Sequence, residues 1–192
     1  SIGYYEFTEE AEELDFIGEA WKWNENGQCE KTVVNPHYIH RCTLHQIPYG
    51  PIYPVYVTGK QRPGISKSFV TLTDSELEQF KHINSTALHS IFAAIKLDVL
   101  HASHLVMQPS VAMQACKTFH IPLIIFPHGS AIEYTVKKDR RYFKEAYEAL
   151  LACQGVICGS REVRDRIITL YPDIADAILA KTDIVGVGVD TN

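Results

Sequence analysis

The 192-residue chain contains no apolar run long enough to cross a bilayer; its most hydrophobic stretch, residues 121–126, has the length of a strand. We therefore expect no integral membrane segment. The first residues, Ser-Ile-Gly-Tyr-Tyr-Glu-Phe, supply neither the basic region nor the apolar region of a signal peptide. A surplus of positive charge is missing too. The 18 Lys and Arg stand against 23 Asp and Glu, for a net charge of -5, and the basic residues gather into no stripe, which argues against nucleic acid as a partner. No internal repeat or low-complexity segment occurs. With 46% hydrophobic and 21% charged residues, the composition excludes wholesale disorder, collagen-like repetition and a long coiled coil. Cysteine is sparse and odd in number: Cys29, Cys42, Cys116, Cys153 and Cys158 form no CxxC pair, and three lie in apolar segments. They read as reduced core thiols of a cytoplasmic protein. An initiator methionine is also missing, and the abrupt end at Asp190-Thr191-Asn192 leads us to expect a piece of a longer chain.

What is present changes character near residues 66–73. Residues 1–45 are polar and aromatic with weak periodicity, and we assign them only as an N-terminal segment with one hairpin signal: Asn24-Glu25-Asn26-Gly27 between Trp21-Lys22-Trp23 and Lys31-Thr32-Val33-Val34. Residues 47–59 mix β-formers with three prolines, which suits an edge strand and loop, and 59–64 read as an exposed basic loop. From Thr73 the signals become regular. Thr73 and Glu76 form a capping-box pair ahead of Leu77, Phe80, Ala87, Leu88, Ile91, Phe92 and Ile95, the apolar face of a helix of about 22 residues. Strands at 99–102, 121–126, 155–158 and 183–187 then alternate with helices opening at Pro109, Asp139 and Ser160. Their unbroken apolar runs predict burial on both faces, the habit of parallel sheets covered by helices. The class is therefore α/β, a Rossmann-like, doubly wound, mostly parallel sheet spanning 46–192.

In an open parallel sheet, ligands bind beyond the carboxyl ends of the strands. Three such places carry polar residues. The first is Asp98-Val-Leu-His101-Ala-Ser-His104. No Glu or Cys follows at ligand distance, so we expect no metal there; His101 reads equally as a packed strand-end residue or a ligand contact, and His104 is the better placed to face substrate. The second, Phe126-Pro-His128-Gly129-Ser130-Ala-Ile-Glu133, delivers a histidine, a glycine that admits a ligand close to backbone, and a hydroxyl. It reads either as a ligand site or as a strand-to-helix turn with Ser130 as N-cap. Lys137, Lys138, Arg140 and Arg141 after it suit a solvated basic helix start better than a phosphate site. The third place is Cys158-Gly-Ser160-Arg-Glu162, where Ser160 is a clear N-cap that leaves its amide or hydroxyl near a ligand.

The order D-V-L-H-A-S-H, I-P-L-I-I-F-P-H-G-S, A-Y-E-A-L-L-A-C-Q-G-V-I-C-G-S-R-E-V-R-D-R and D-I-V-G-V-G-V-D-T resembles the amino-terminal, acceptor-side domain of family 4 glycosyltransferases. The likeness covers about residues 74–192, with some support from Ile47 to Val57. These are retaining enzymes of the GT-B fold, two Rossmann-like domains facing across a cleft. The resemblance implies transfer of a sugar from a nucleotide-sugar donor to a glycan, lipid or small-molecule acceptor, with no cofactor and no metal. It implies that His128 faces the transferred sugar as the catalytic histidine, that Gly129 and Ser130 shape the same wall, and that His104, Glu133, Ser160 and His101 contact substrate. The Gly-rich opening loop of the family is not found before residue 47. Nor is the second domain with its nucleotide pocket, its Arg/Lys pair and its paired glutamates, which we expect in cis. A non-catalytic carbohydrate-binding or assembly module, and an epimerase or phosphorylase on the same two-domain fold, remain open alternatives.

Overall fold

The computed structural model describes residues 2–3, 17–38, 42–57 and 66–186. The basic loop expected at 59–64, the end of the strand expected at 183–187 and the closing G-V-D-T lie outside these residues. Two compact units form, one from Ser1–Tyr53 with Thr73–Lys96 and the other from Pro54–Leu72 with Leu97–Asn192.

The first unit carries a mixed sheet. Its strands are β1 (Ile2–Gly3), β2 (Glu19–Trp23), β3 (Cys29–Val33) and β4 (Thr43–Gln46), in the order β1-β4-β2-β3. β4 runs parallel to both β1 and β2, and β3 returns antiparallel to β2. The hairpin turn is set by Asn24, whose side-chain oxygen accepts from the amides of Asn26 and Gln28, both at 3.0 Å. Gly27 follows at φ +74°, and a Cβ there would fall 2.2 Å from the Ser90 hydroxyl, so both backbone and space demand glycine. Ile17, Ala20 and Leu44 form the buried cluster beneath this sheet. β3 is exposed along its whole length, and Cys29 with it. This corrects the reading of all five cysteines as core thiols: Cys116, Cys153 and Cys158 are buried, while Cys29 is exposed on the strand that ends the described sheet.

Helix α1 (Asp74–Ala94) belongs to the same unit and begins at the expected capping box. The Thr73 hydroxyl accepts from the Glu76 amide at 3.2 Å, and the Glu76 carboxylate accepts from the Thr73 amide at 2.8 Å. Its buried face carries Leu77, Phe80, Ile83, Ala87, Leu88, Ile91 and Phe92.

The second unit holds the α/β arrangement expected from the sequence. Strands β7 (Leu100–Ser103), β8 (Leu123–Phe126), β9 (Gly155–Cys158) and β10 (Thr182–Ile184) lie side by side in the order β10-β9-β8-β7, all parallel. A short ribbon, β5 (Tyr53–Val55) with β6 (Ser66–Ser68), precedes it in the chain. Helices α2 (Gln108–Phe119), α3 (Gly129–Ala131), α4 (Arg140–Ala152), α5 (Arg161–Leu170) and α6 (Ala175–Leu179) connect the strands. α2 packs on β7 and β8, and α5 on β9.

Burial on both faces of these strands holds only in part. In β8, Leu123 and Ile125 are fully buried while Ile124 and Phe126 are half-buried, and His101 of β7 is exposed. The more open face is the one on which a cluster of rings gathers.

Tyr142 at the start of α4 is fully buried and donates its hydroxyl to the Phe69 carbonyl at 2.7 Å. Arg141 beside it grips Asp139 through Nε and Nη2 and reaches the Leu72 carbonyl at 3.0 Å through Nη1. One of the four basic residues read as a solvated face is thus a structural clamp, tied to the chain by a fixed fork of donors.

Candidate functional site

The parallel sheet stops abruptly at its carboxyl edge, and each strand hands its next residues to a different task. Beyond β7 the ladder continues one step, with the His104 amide donating to the Phe126 carbonyl at 2.8 Å. His104 itself takes φ +68°, the left-handed region, which costs a non-glycine residue about 1 kcal/mol. That turn lays its imidazole against two other rings, Tyr56 at 4.3 Å and His128 at 4.5 Å between centroids.

His128 follows β8 and caps α3, its backbone extended at φ -113°, ψ 143°. The alternative reading of Ser130 as N-cap does not hold: the cap position belongs to His128, and Ser130 lies inside the first turn. The His128 ring also meets Phe126 at 5.1 Å, and Phe126 meets His101 edge-on at 5.7 Å. Five rings from three segments, Tyr56, His104, His128, Phe126 and His101, thus form one chain of contacts along the strand ends.

Burial, followed by the charge of the facing His128, holds His104 down at about 4. His128 is lowered as well, first by burial and then by His101. Both imidazoles are therefore neutral near pH 7, each with one N–H to donate and one nitrogen to accept. The Nδ1 atom of His104 is buried and meets no partner among the described residues. An orphaned polar atom of this kind costs about 1–3 kcal/mol.

Gly129 is not explained by the chain around it. Its φ is not positive, and a Cβ there would meet only Nη1 of Arg166, at an ordinary 4.0 Å. Neither backbone conformation nor crowding among the described residues calls for glycine, since a methyl there would make only an ordinary contact.

Glu133 lies in the π-helical turn Ile132–Val136 that continues α3. Its carboxylate accepts from Lys137 at 2.6 Å and from Arg166 at 2.9 Å, and Arg166 also grips Glu162 at 2.5 Å. The Lys137 bond, with Arg166 adding to it, holds Glu133 ionised below the usual range. Ser160 caps α5 as expected, accepting from the Val163 amide at 3.3 Å, so its hydroxyl serves its own helix.

Tyr56 and Arg166 escaped the sequence reading. The i, i+4 spacing of Glu162 and Arg166 is a legible signal of their pairing. Tyr56 carries none, because the residue that it touches is 48 positions further along the chain. Among the described residues no group of three or more His, Cys, Asp or Glu is placed to hold a metal ion.

The sequence model of Glycosyltransferase Family 4 matches residues 39–192, and the chain belongs to that family. No curated protein matches the chain.

Proposed function

We propose that this glycosyltransferase domain is the acceptor-side half of a retaining enzyme, which moves a sugar from a nucleotide-sugar donor to a glycan, lipid or small-molecule acceptor. The observation that carries this reading is the pairing of a neutral His128 at the end of β8 with a glycine whose missing side chain serves nothing in the chain itself. A neutral imidazole beside open backbone can donate to one sugar hydroxyl and accept from another, and so orient donor and acceptor together. Ser130 would line the same wall. His104 backs His128, His101 lies at the outer end of the ring chain, and Glu133, held ionised, offers acceptor oxygens for hydroxyls. Ser160 would contribute from the neighbouring strand end.

The leaving nucleotide develops charge that must be met by positioned donors. In this reading backbone amides and an Arg/Lys pair on a second Rossmann domain, held in cis, supply them, with no resident metal or cofactor. A cytoplasmic location accords with five cysteines that are all free. No helix among the described residues is long and apolar enough to cross a membrane.

The decisive test is His128→Ala in a chain that carries both domains. Turnover should fall about 10²–10⁴-fold, as for loss of a positioned acid–base or hydrogen-bonding group, with the amide spectrum unchanged. Near-normal transfer removes His128 from the reaction. The 192-residue chain alone should bind nucleotide sugar weakly and transfer nothing, and detectable transfer by it refutes the division of labour proposed here. Saturable glycan binding with no activity in any longer form would favour the binding-module alternative.

A further inference from the structure

Tyr56 belongs to neither the family motifs nor the strands, yet it occupies the rear of the ring chain. Its hydroxyl donates to the Val106 carbonyl and accepts from the Met107 amide at 3.2 Å, so it bridges the backbone of the loop that carries His104. Val106 and Met107 are themselves fully buried. Behind it, the Phe69 ring lies tilted at 5.0 Å, and Phe69 meets Tyr142 edge-on at 5.8 Å. A line of rings therefore runs from the buried start of α4 through Phe69 and Tyr56 to His104 and His128.

We propose that Tyr56 is a positioning residue for the histidine pair, its hydroxyl clamping the 104–107 loop and its ring pressing His104 against His128. The proposal rests on the reading of His128 as the sugar-facing group. Its mechanical content, that Tyr56 sets the two imidazoles, stands apart from that reading.

The arrangement answers two otherwise costly features. His104 holds a left-handed backbone and a buried, unpartnered Nδ1, neither of which helps the fold. Both persist when the neighbouring structure over-determines them, and the Tyr56 clamp on Val106 and Met107, two and three positions further on, is what does so. The Tyr56 and His128 rings pack on His104, whose burial is the first cause of its lowered value. The titratable groups facing this pair are Tyr56, His101 and, behind Tyr56, Tyr142.

The test is histidine-selective carbon–proton NMR on the full 192-residue chain, titrated from pH 8 to 3.5, with His104→Gln to assign the resonance. In Tyr56→Phe, which loses one oxygen and keeps the ring, we expect the His104 midpoint to rise by a unit or more, a tenfold change in its proton affinity. The His128 ring signals should shift with it. His45, in the other unit, should not move, and serves as the control for an intact fold. Unchanged His104 and His128 signals in Tyr56→Phe overturn the proposal. Should that variant fail to fold, the unaltered chain decides. Cross-relaxation between the Tyr56 ring protons and the His104 ring, with a His104 midpoint well below 6.5, supports the clamp, and absence of either overturns it. Failure of the functional reading looks different: His128→Ala would keep full transfer activity in the two-domain enzyme while the Tyr56→Phe shifts remain.

Discussion

His45 in the first unit and His104 in the second are both held at about 4, burial being the largest cause for each, yet their surroundings differ in whether the ring's hydrogen-bonding groups find partners. His45 lies on β4, 4% exposed, with rings of Trp21 and Trp23 beside it, and its Nδ1 accepts from the Trp23 indole at 3.1 Å. Its Nδ1 is thus satisfied from the neighbouring strand of the same sheet. His104 has comparable packing, but its backbone is left-handed and its Nδ1 is buried and unmet. Burial alone therefore does not mark a functional histidine. An unfilled hydrogen-bonding valence beside an open strand edge does.

The sheets differ in the same way. In the second unit four parallel strands converge on one edge, and the residues past β7 and β8 gather there. In the first unit the mixed sheet ends in β3, whose five residues are all exposed, and the hairpin is held by turn chemistry more than by burial. The largest expected break in this comparison is Ile125→Ala, at the fully buried centre of β8, which should cost about 2–5 kcal/mol in denaturant unfolding followed by circular dichroism. Val33→Ala on β3 should cost under about 0.5 kcal/mol by the same measurement. Equal losses at the two positions would mean that β3 is covered in solution.

Acid should come next in size. The folded value of His45 lies below its unfolded value of 6.5, so the folded state prefers the neutral ring and the unfolded chain binds the proton. The stabilisation is complete above about pH 6.5 and is lost as the pH falls toward 4, by up to about 3 kcal/mol. The chain has only two tryptophans, Trp21 and Trp23, both on β2, so tryptophan fluorescence reads this loss from the first unit alone. His45→Gln should flatten the profile between pH 6.5 and 4. A profile unchanged in that variant would mean that another group controls acid unfolding.

Smaller effects belong to the caps. Thr73→Ala in the first unit and Ser160→Ala in the second should each lower stability by about 1 kcal/mol, the usual value of an N-cap bond. A much larger loss of sugar binding than of stability in Ser160→Ala would show that its hydroxyl serves a ligand as well as its helix. Smallest of all in stability is Gly129→Ala, within about 0.5 kcal/mol, because the new methyl meets only ordinary contacts. Nucleotide-sugar or acceptor binding should nonetheless weaken at least tenfold in titration calorimetry of the two-domain enzyme. Unchanged binding would leave the glycine without a role.

Much of the second unit was legible because its signals are local. Val156 and Cys158 of β9, Leu123 and Ile125 of β8, and the caps Asp139 and Ser160 each announce their element within a few residues. So does the box of Thr73 and Glu76. The strands of the first unit were opaque apart from their Asn-Gly turn, although its helix α1 was legible: β3 carries no buried residue, and β4 reads Thr-Leu-His-Gln, in which a buried His45 breaks the apolar alternation that marks a strand. The alternative that put a cap at Ser130 lay two positions too far along, because His128, unlike serine, signals no cap although it takes the extended backbone of one.

By itself the sequence determined the α/β class, the family, the long capped helix and the short list of polar residues that follow the strands, because periodicity, capping and motif order are written between near neighbours. Only the tertiary structure decided which of those residues meet. It put Tyr56 behind His104 and His104 behind His128, gave Glu133 to Arg166, and left Gly129 without a steric reason to be glycine. Contacts of this kind depend on the register of parallel strands and on one turn at φ +68°, which no local pattern encodes.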